Sequence, residues 1–219
     1  MPARALLRIG RYAALILPLI LVPAAAQTQS HYENVFASIA LDGKKIGAIH
    51  YTLKILPTGE IEQIHTNTSV SFLGVKLYAY AQHLHETWRN GKLQTLRSDA
   101  DDNGTDEKAR VRRVADSYEA DHNGKPVDLP ITVFPDSIWH YAITQHSTIF
   151  SSLDLRQMKV HVTRTDVQID YHGKMVPAER FDFTGDWHAK LWFGKNKRLL
   201  KAHHIINNRE IEITVDPES

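Results

Sequence analysis

From about residue 35 to the C-terminus, apolar and polar residues alternate with a period of two, and pairs of turn-forming residues break the alternation at short intervals. This pattern leaves a chain little choice but half-buried β-strands joined by tight turns. Val35, Ala37, Ile39 and Leu41 share one face ahead of Asp42-Gly43, a dipeptide suited to a two-residue hairpin. The same signal returns at Asn90-Gly91, Asn123-Gly124 and His172-Gly173, with a further turn at Pro57-Thr58-Gly59. Alternating stretches lie between them: Ile46 to Leu56, Ile61 to Phe72, Val75 to Trp88 after a Gly74 break, Lys92 to Ser98 and Ala109 to Tyr118. The last third alternates most clearly, through Val160/Val162, Val167/Ile169/Tyr171, Phe181/Phe183, Leu191/Phe193 and Ile211/Ile213/Val215.

Strand number and turn spacing predict a mainly β protein built on one large antiparallel sheet of roughly ten or more strands, a size at which open sheets curl or close. In Val75–Trp88, one face carries Val75, Leu77, Ala79, Ala81, His83 and His85, and the other Tyr78, Tyr80, Leu84 and Trp88. Both faces are apolar near the middle, so both are expected to be covered. The stretch of about 135–158 lacks the alternation, and Asp136 is placed to cap a short helix carrying Ile138, Trp139 and Tyr141. A strongly curved half-barrel with this insert on its concave side satisfies the pattern, and so does a closed barrel with a plug.

The first 26 residues follow a different logic. Arg4, Arg8 and Arg11 precede an apolar run from Tyr12 to Val22, and Ala24-Ala25-Ala26 supplies small residues for cleavage after Ala26. The run is too short to span a bilayer, so a cleaved signal peptide at 1–26 and one exported β domain at 27–219 are expected, with no transmembrane segment in the mature chain. Twenty-six basic against 25 acidic residues give a formal net charge of +1. So even a balance argues against a nucleic-acid partner. The absence of Cys excludes disulfides, thiolate chemistry and an N-terminal lipid anchor on Cys.

The sequence G-K-K-I-G at Gly43–Gly47, E-T-W-R-N-G-K-L at Glu86–Leu93, D-N-G at Asp102–Gly104, P-D-S-I-W at Pro135–Trp139 and L-W-F-G at Leu191–Gly194 resembles an uncharacterised family of exported bacterial β-meander proteins, a domain of unknown function. In architecture the pattern is similar to the lipoprotein-carrier half-barrels of the Gram-negative envelope. The resemblance implies a periplasmic setting and an apolar ligand groove, and it brings no catalytic residue with it.

Four groups of residues are candidates for chemistry. The loop Asp99-Ala100-Asp101-Asp102-Asn103-Gly104 has the D-x-D-x-N-G order of a Ca²⁺ loop, with Asp99, Asp101 and Asn103 as ligands. Arg110 stands where the bidentate Glu should be, and the same residues also make ordinary hairpin turns. His83 and His85 point the same way on a strand and offer a Zn²⁺ site if His65 joins from the neighbouring strand. Asp136, Ser137 and His140 bring acid, nucleophile and base within five residues, although such groups are normally assembled by the fold rather than by adjacency. Trp139 and Tyr141, with Trp192 and Phe193 opposite, either line an apolar pocket between insert and sheet or fill the core.

The reading that follows is a soluble periplasmic binding or carrier protein for a lipidic or apolar ligand of the cell envelope, with no cofactor. Two alternatives stand beside it: a metal-binding protein or metal-dependent hydrolase using the His or Asp clusters, and an envelope structural protein that pairs through a sheet edge.

Overall fold

The computed structural model describes residues 29–57, 61–71, 79–206 and 209–217. The expected signal peptide, the Thr58-Gly59 part of one turn, and the Gly74 break with its neighbours to 78 lie outside them. Among the described residues fifteen strands form one sheet. They are β1 (His31–Leu41), β2 (Lys44–Ile55), β3 (Ile61–Ser71), β4 (Ala79–Arg89), β5 (Lys92–Asp102), β6 (Thr105–Val114), β7 (Ser117–His122), β8 (Lys125–Val127), β9 (Phe134–Pro135), β10 (Thr148–Phe150), β11 (Gln157–Tyr171), β12 (Lys174–Gly185), β13 (Ala189–Phe193), β14 (Leu199–Ile206) and β15 (Arg209–Val215).

Local sequence explains the connections. Asp42-Gly43, Asn90-Gly91, Asn103-Gly104, Asn123-Gly124 and His172-Gly173 all have positive φ at both residues, the backbone that matches the twist of two hydrogen-bonded strands. Neighbours in sequence therefore pair as antiparallel hairpins, and among the described residues β9–β10 is the one parallel pair in the sheet.

The spatial order is β8-β7-β6-β5-β4-β3-β2-β1-β15-β14-β13-β12-β11-β10-β9. The first and last strands thus meet at the centre, with Ala37 opposite Val215 and Leu41 opposite Ile211. Both edges come from the middle of the chain, and the short connection 128–133 ties one edge to the other. A sheet with tethered edges must curl. Gln157 Nε2, at the start of β11, donates to the Asp128 carbonyl just past β8 at 3.0 Å. The sheet is curled rather than closed, which decides between the two architectures the alternation allowed.

The concave face is filled by the chain itself. Residues 134–158 turn inward and bury Phe134, Trp139, Ile143, Ile149, Phe150 and Leu155 against the inner rows of the sheet. This insert holds one 3-10 turn, Tyr141–Gln145, capped by His140. Asp136 does not act as the cap; its carboxylate accepts from the Ser152 N–H at 3.0 Å and staples the two ends of the insert together. Among the described residues no helix is long and apolar enough to cross a membrane.

Candidate functional site

The four aromatics singled out in the sequence divide between two faces. Trp139 is buried and stacks on Tyr51 of β2, with ring centroids 4.0 Å apart. Tyr141 meets Phe181 of β12 and Phe193 of β13 edge-on at 5.6 and 5.1 Å. Its hydroxyl donates to Glu179 Oε2 at 2.6 Å. Burial, and then the Glu179 carboxylate, push the Tyr141 phenol up to about 12. Trp192 does not join them. Leu191 and Phe193 point inward, so the pleat sends Trp192 to the outer face. There it meets His203 at 4.7 Å, between Arg180 and Lys201 in the register. Trp139 and Trp192 therefore border no common space.

The space that does remain lies at the mouth of the curl. The β11–β12 hairpin is longer than its neighbour: β13 pairs with β12 only from Glu179 to Phe183, so the arm from Val167 to Ala178 runs on beyond it. Between this arm and the β13–β14 turn is a groove of about 520 Å³, open to solvent and mostly apolar in lining. Gln168 and Pro177 share the face of Phe193, which is itself fully buried, while Val167 and Ala178 point to the opposite face of the arm. The arm is held at its tip. Tyr171 Oη donates to the Val215 carbonyl at 2.9 Å, and His172 Nε2 donates to the same oxygen at 2.8 Å.

A second polar feature lies inside. The period of β4 places Gln82, Leu84, Glu86 and Trp88 on the inner face, and all four are buried. Glu86 is fully enclosed. Its Oε2 accepts from Ser137 Oγ at 2.9 Å and from Trp88 Nε1 at 3.4 Å, while Oε1 has no hydrogen-bond partner among the described residues. Burial raises the Glu86 carboxyl to about 8 against the pull of those two donors, and the Asp136 charge reinforces the rise. Burial likewise lifts Asp136 to about 6. Gln82 Nε2 continues the polar row by donating to Ser98 Oγ at 2.9 Å.

This arrangement settles the Asp136, Ser137 and His140 grouping. Ser137 is committed to Glu86, Asp136 to Ser152, and His140 Nδ1 accepts from the Ala142 N–H at 3.3 Å. Burial lowers His140 to about 4. No proton path from Ser137 to His140 is assembled. Glu86 itself is readable in principle, since Leu84, Glu86 and Trp88 stand at spacing two and a strand that buries Leu84 and Trp88 must bury the residue between them.

The metal candidates sit on the outer face. His65 and His85 stack with centroids 4.0 Å apart. Burial, then the charges of His65 and Arg97, lower His85. His83 turns to Asn67, Nδ1 to Oδ1 at 2.5 Å. Asp99 lies between Arg97 and Arg110; partial burial works against its charge, but the bonds and charges of the two Arg hold it below its usual range. Asp101 accepts from the Gly104 N–H at 2.6 Å, and Asn103 is the first residue of the two-residue turn. Asp99–Asn103 is thus the end of β5 and a hairpin turn rather than a loop wrapped around a centre. Among the described residues no three His, Asp or Glu side chains come together as a metal would require.

Known proteins share the fold. It is similar to the crystal structure of a beta-barrel-like protein of domain of unknown function DUF1849 from Brucella abortus, with a TM-score of 0.58 and 8% sequence identity. The match covers 87% of this chain and 98% of that one, and at such identity the likeness speaks for the fold alone. No curated protein matches the chain. Residues 38–215 match the family described as domain of unknown function DUF6134, which takes in nearly the whole sheet from β1 to β15, and the chain belongs to that family.

Proposed function

We propose that this protein is a binding or carrier module for an apolar or lipidic molecule of the cell envelope, and that the groove beside the β11–β12 arm is where the ligand lies. One observation carries the reading. The insert fills the interior of the curl, while a mostly apolar groove of about 520 Å³, with Pro177 exposed in its wall, stays open between the arm and the β13–β14 turn. Small-molecule sites of about 300–1,000 Å³ with mostly apolar walls are the usual kind. Removal of apolar ligand surface from water, at roughly 25 cal/mol per Å², supplies the driving force. The Arg-rich, apolar and Ala-rich order of residues 1–26 supports a periplasmic location for this activity.

The test is titration with N-phenylnaphthylamine, an uncharged probe that fluoresces in apolar surroundings. The native chain is expected to raise its emission saturably. A Gln168→Trp variant, folded by circular dichroism, fills the groove from the face that carries Phe193 and abolishes the rise. No saturable rise, or one that Gln168→Trp leaves intact, overturns the reading.

A further inference from the structure

Resting on that reading of the groove, we propose that its ligand is a single-chain amphiphile with an anionic head, a carboxylate or a phosphate ester, and that Lys195 and Lys197 receive the head. The charges around the groove come from three elements. Arg164 and Asp166 of β11 pair at 2.8 Å, and the same guanidinium reaches Glu179 of β12 at 2.6 Å. Glu179 also holds the Tyr141 hydroxyl. The two acids at the groove are therefore already engaged with one Arg and one phenol. On the facing turn, Arg198 pairs with Glu33 at 2.9 Å. Lys195 and Lys197 are exposed and have no carboxylate partner among the described residues; Lys197 Nζ lies over the Tyr141 ring, 5.0 Å from its centroid.

With two acids against Arg164, Lys195 and Lys197, the groove keeps one uncompensated positive charge, and it lies on the turn side. The turn is rigid. Gly194 N–H donates to the Arg198 carbonyl and Lys197 N–H to the Gly194 carbonyl, both at 2.9 Å, and Asn196 Oδ1 accepts from the Arg198 N–H at 3.1 Å. Lys197 takes φ +59 to complete it. Two cations thus stand on a hydrogen-bonded turn beside a mostly apolar groove, the pattern that fits a molecule with an acyl tail and a negative end. Preorganised charge selects among ligands more than it adds affinity.

Displacement of bound N-phenylnaphthylamine separates the possibilities. Dodecanoate and dodecyl phosphate are expected to displace the probe at about tenfold lower concentration than dodecanol, a difference that shrinks in high salt. In the Lys195→Gln/Lys197→Gln double variant the anionic compounds fall to the level of dodecanol, which itself is unchanged. Dodecanoate favoured over dodecyl phosphate, or the reverse, identifies the head within the proposed class. Equal displacement by dodecanol and the anions overturns the charge assignment and leaves the groove reading standing. Displacement by inorganic phosphate as strong as by dodecyl phosphate overturns the amphiphile. Probe binding that no dodecyl compound displaces overturns it as well, and absence of probe binding defeats the groove reading itself.

Discussion

Ser137 donates its hydroxyl hydrogen to Glu86 Oε2 at 2.9 Å, joining the insert to β4 in full burial across 51 residues of sequence. A carboxyl held in such a place keeps its proton at neutral pH, because desolvation penalises the charged form more than two hydrogen bonds favour it.

That contact makes stability depend on pH in a defined direction. The Glu86 carboxyl titrates near 8 when folded, against 4.5 for an unburied Glu. Between these values the unfolded chain gives up the proton and the folded chain keeps it. The stabilising effect is complete below about pH 4.5 and is lost as pH rises to about 8. Urea unfolding at pH 5 and pH 8 should show the native chain losing roughly 2–4 kcal/mol more than Glu86→Gln over this interval. Parallel losses in both chains would show that Glu86 is ionised at neutral pH.

The two tryptophans expected to face each other across a pocket should differ in mutational cost. Trp139 stacks on Tyr51 inside the core, and its removal leaves a cavity between insert and sheet. Trp139→Ala is expected to cost about 3–5 kcal/mol. Trp192 lies outside the core cluster, on the outer face against His203. Trp192 is also buried, but under His203 and its Arg180 and Lys201 neighbours rather than in the core. Flexible side chains can close over the gap, so Trp192→Ala should cost roughly 1–3 kcal/mol. Denaturant midpoints at constant slope measure both, and equal costs contradict the division between faces.

The sequence carries the strands and hairpins because both are local. Asp42-Gly43, Asn90-Gly91, Asn123-Gly124 and His172-Gly173 each select their turn without help from the rest of the chain. The pairing of β1 with β15 is not local: Ala37 and Val215 meet because the whole sheet curls between them, and no short pattern encodes that. The insert is legible as an interruption that carries a short helix; that helix is one 3-10 turn, Tyr141–Gln145, capped by His140 in place of Asp136, in an insert packed against Tyr51, Trp88 and Phe181. Trp192 and Phe193 cannot share a pocket wall, because adjacent strand residues face opposite ways. Glu86 is hidden for a different reason: a carboxylate between two apolar residues reads as a surface position until its neighbours are known to be buried.

The arm beside the groove should loosen when its tip is released. Tyr171 and His172 both donate to the Val215 carbonyl, and the arm has no β13 partner beyond Glu179. Tyr171→Phe/His172→Ala removes both donors at about 1 kcal/mol each. Amide exchange should speed up in Val167–Ala178 while β1 and β2 keep their protection. Uniform acceleration across the sheet would mean that the arm is part of the global unfolding unit and not a separately anchored element.

Gly185, at the end of β12, offers a steric test of how the arm's base is joined to the insert. Its φ is +106, and a Cβ there would stand 2.6 Å from the Lys159 carbonyl oxygen. That oxygen already accepts from the Asp186 N–H at 2.9 Å, while Asp186 Oδ2 accepts from the Lys159 N–H at the same distance. One residue on, the Val160 N–H donates to the Ser147 carbonyl within the insert. Backbone cannot move aside here without disturbing three hydrogen bonds. Gly185→Ala is therefore expected to cost more than about 3 kcal/mol, the conformational penalty and the clash together. Gly43 provides the control. It has φ +76, but an added methyl there would meet nothing within 4 Å, so Gly43→Ala should cost only the roughly 1–2 kcal/mol of a left-handed alanine. Thermal unfolding of the two variants distinguishes them, and melting temperatures lowered equally would show that the carbonyl of Lys159 gives way to the added methyl.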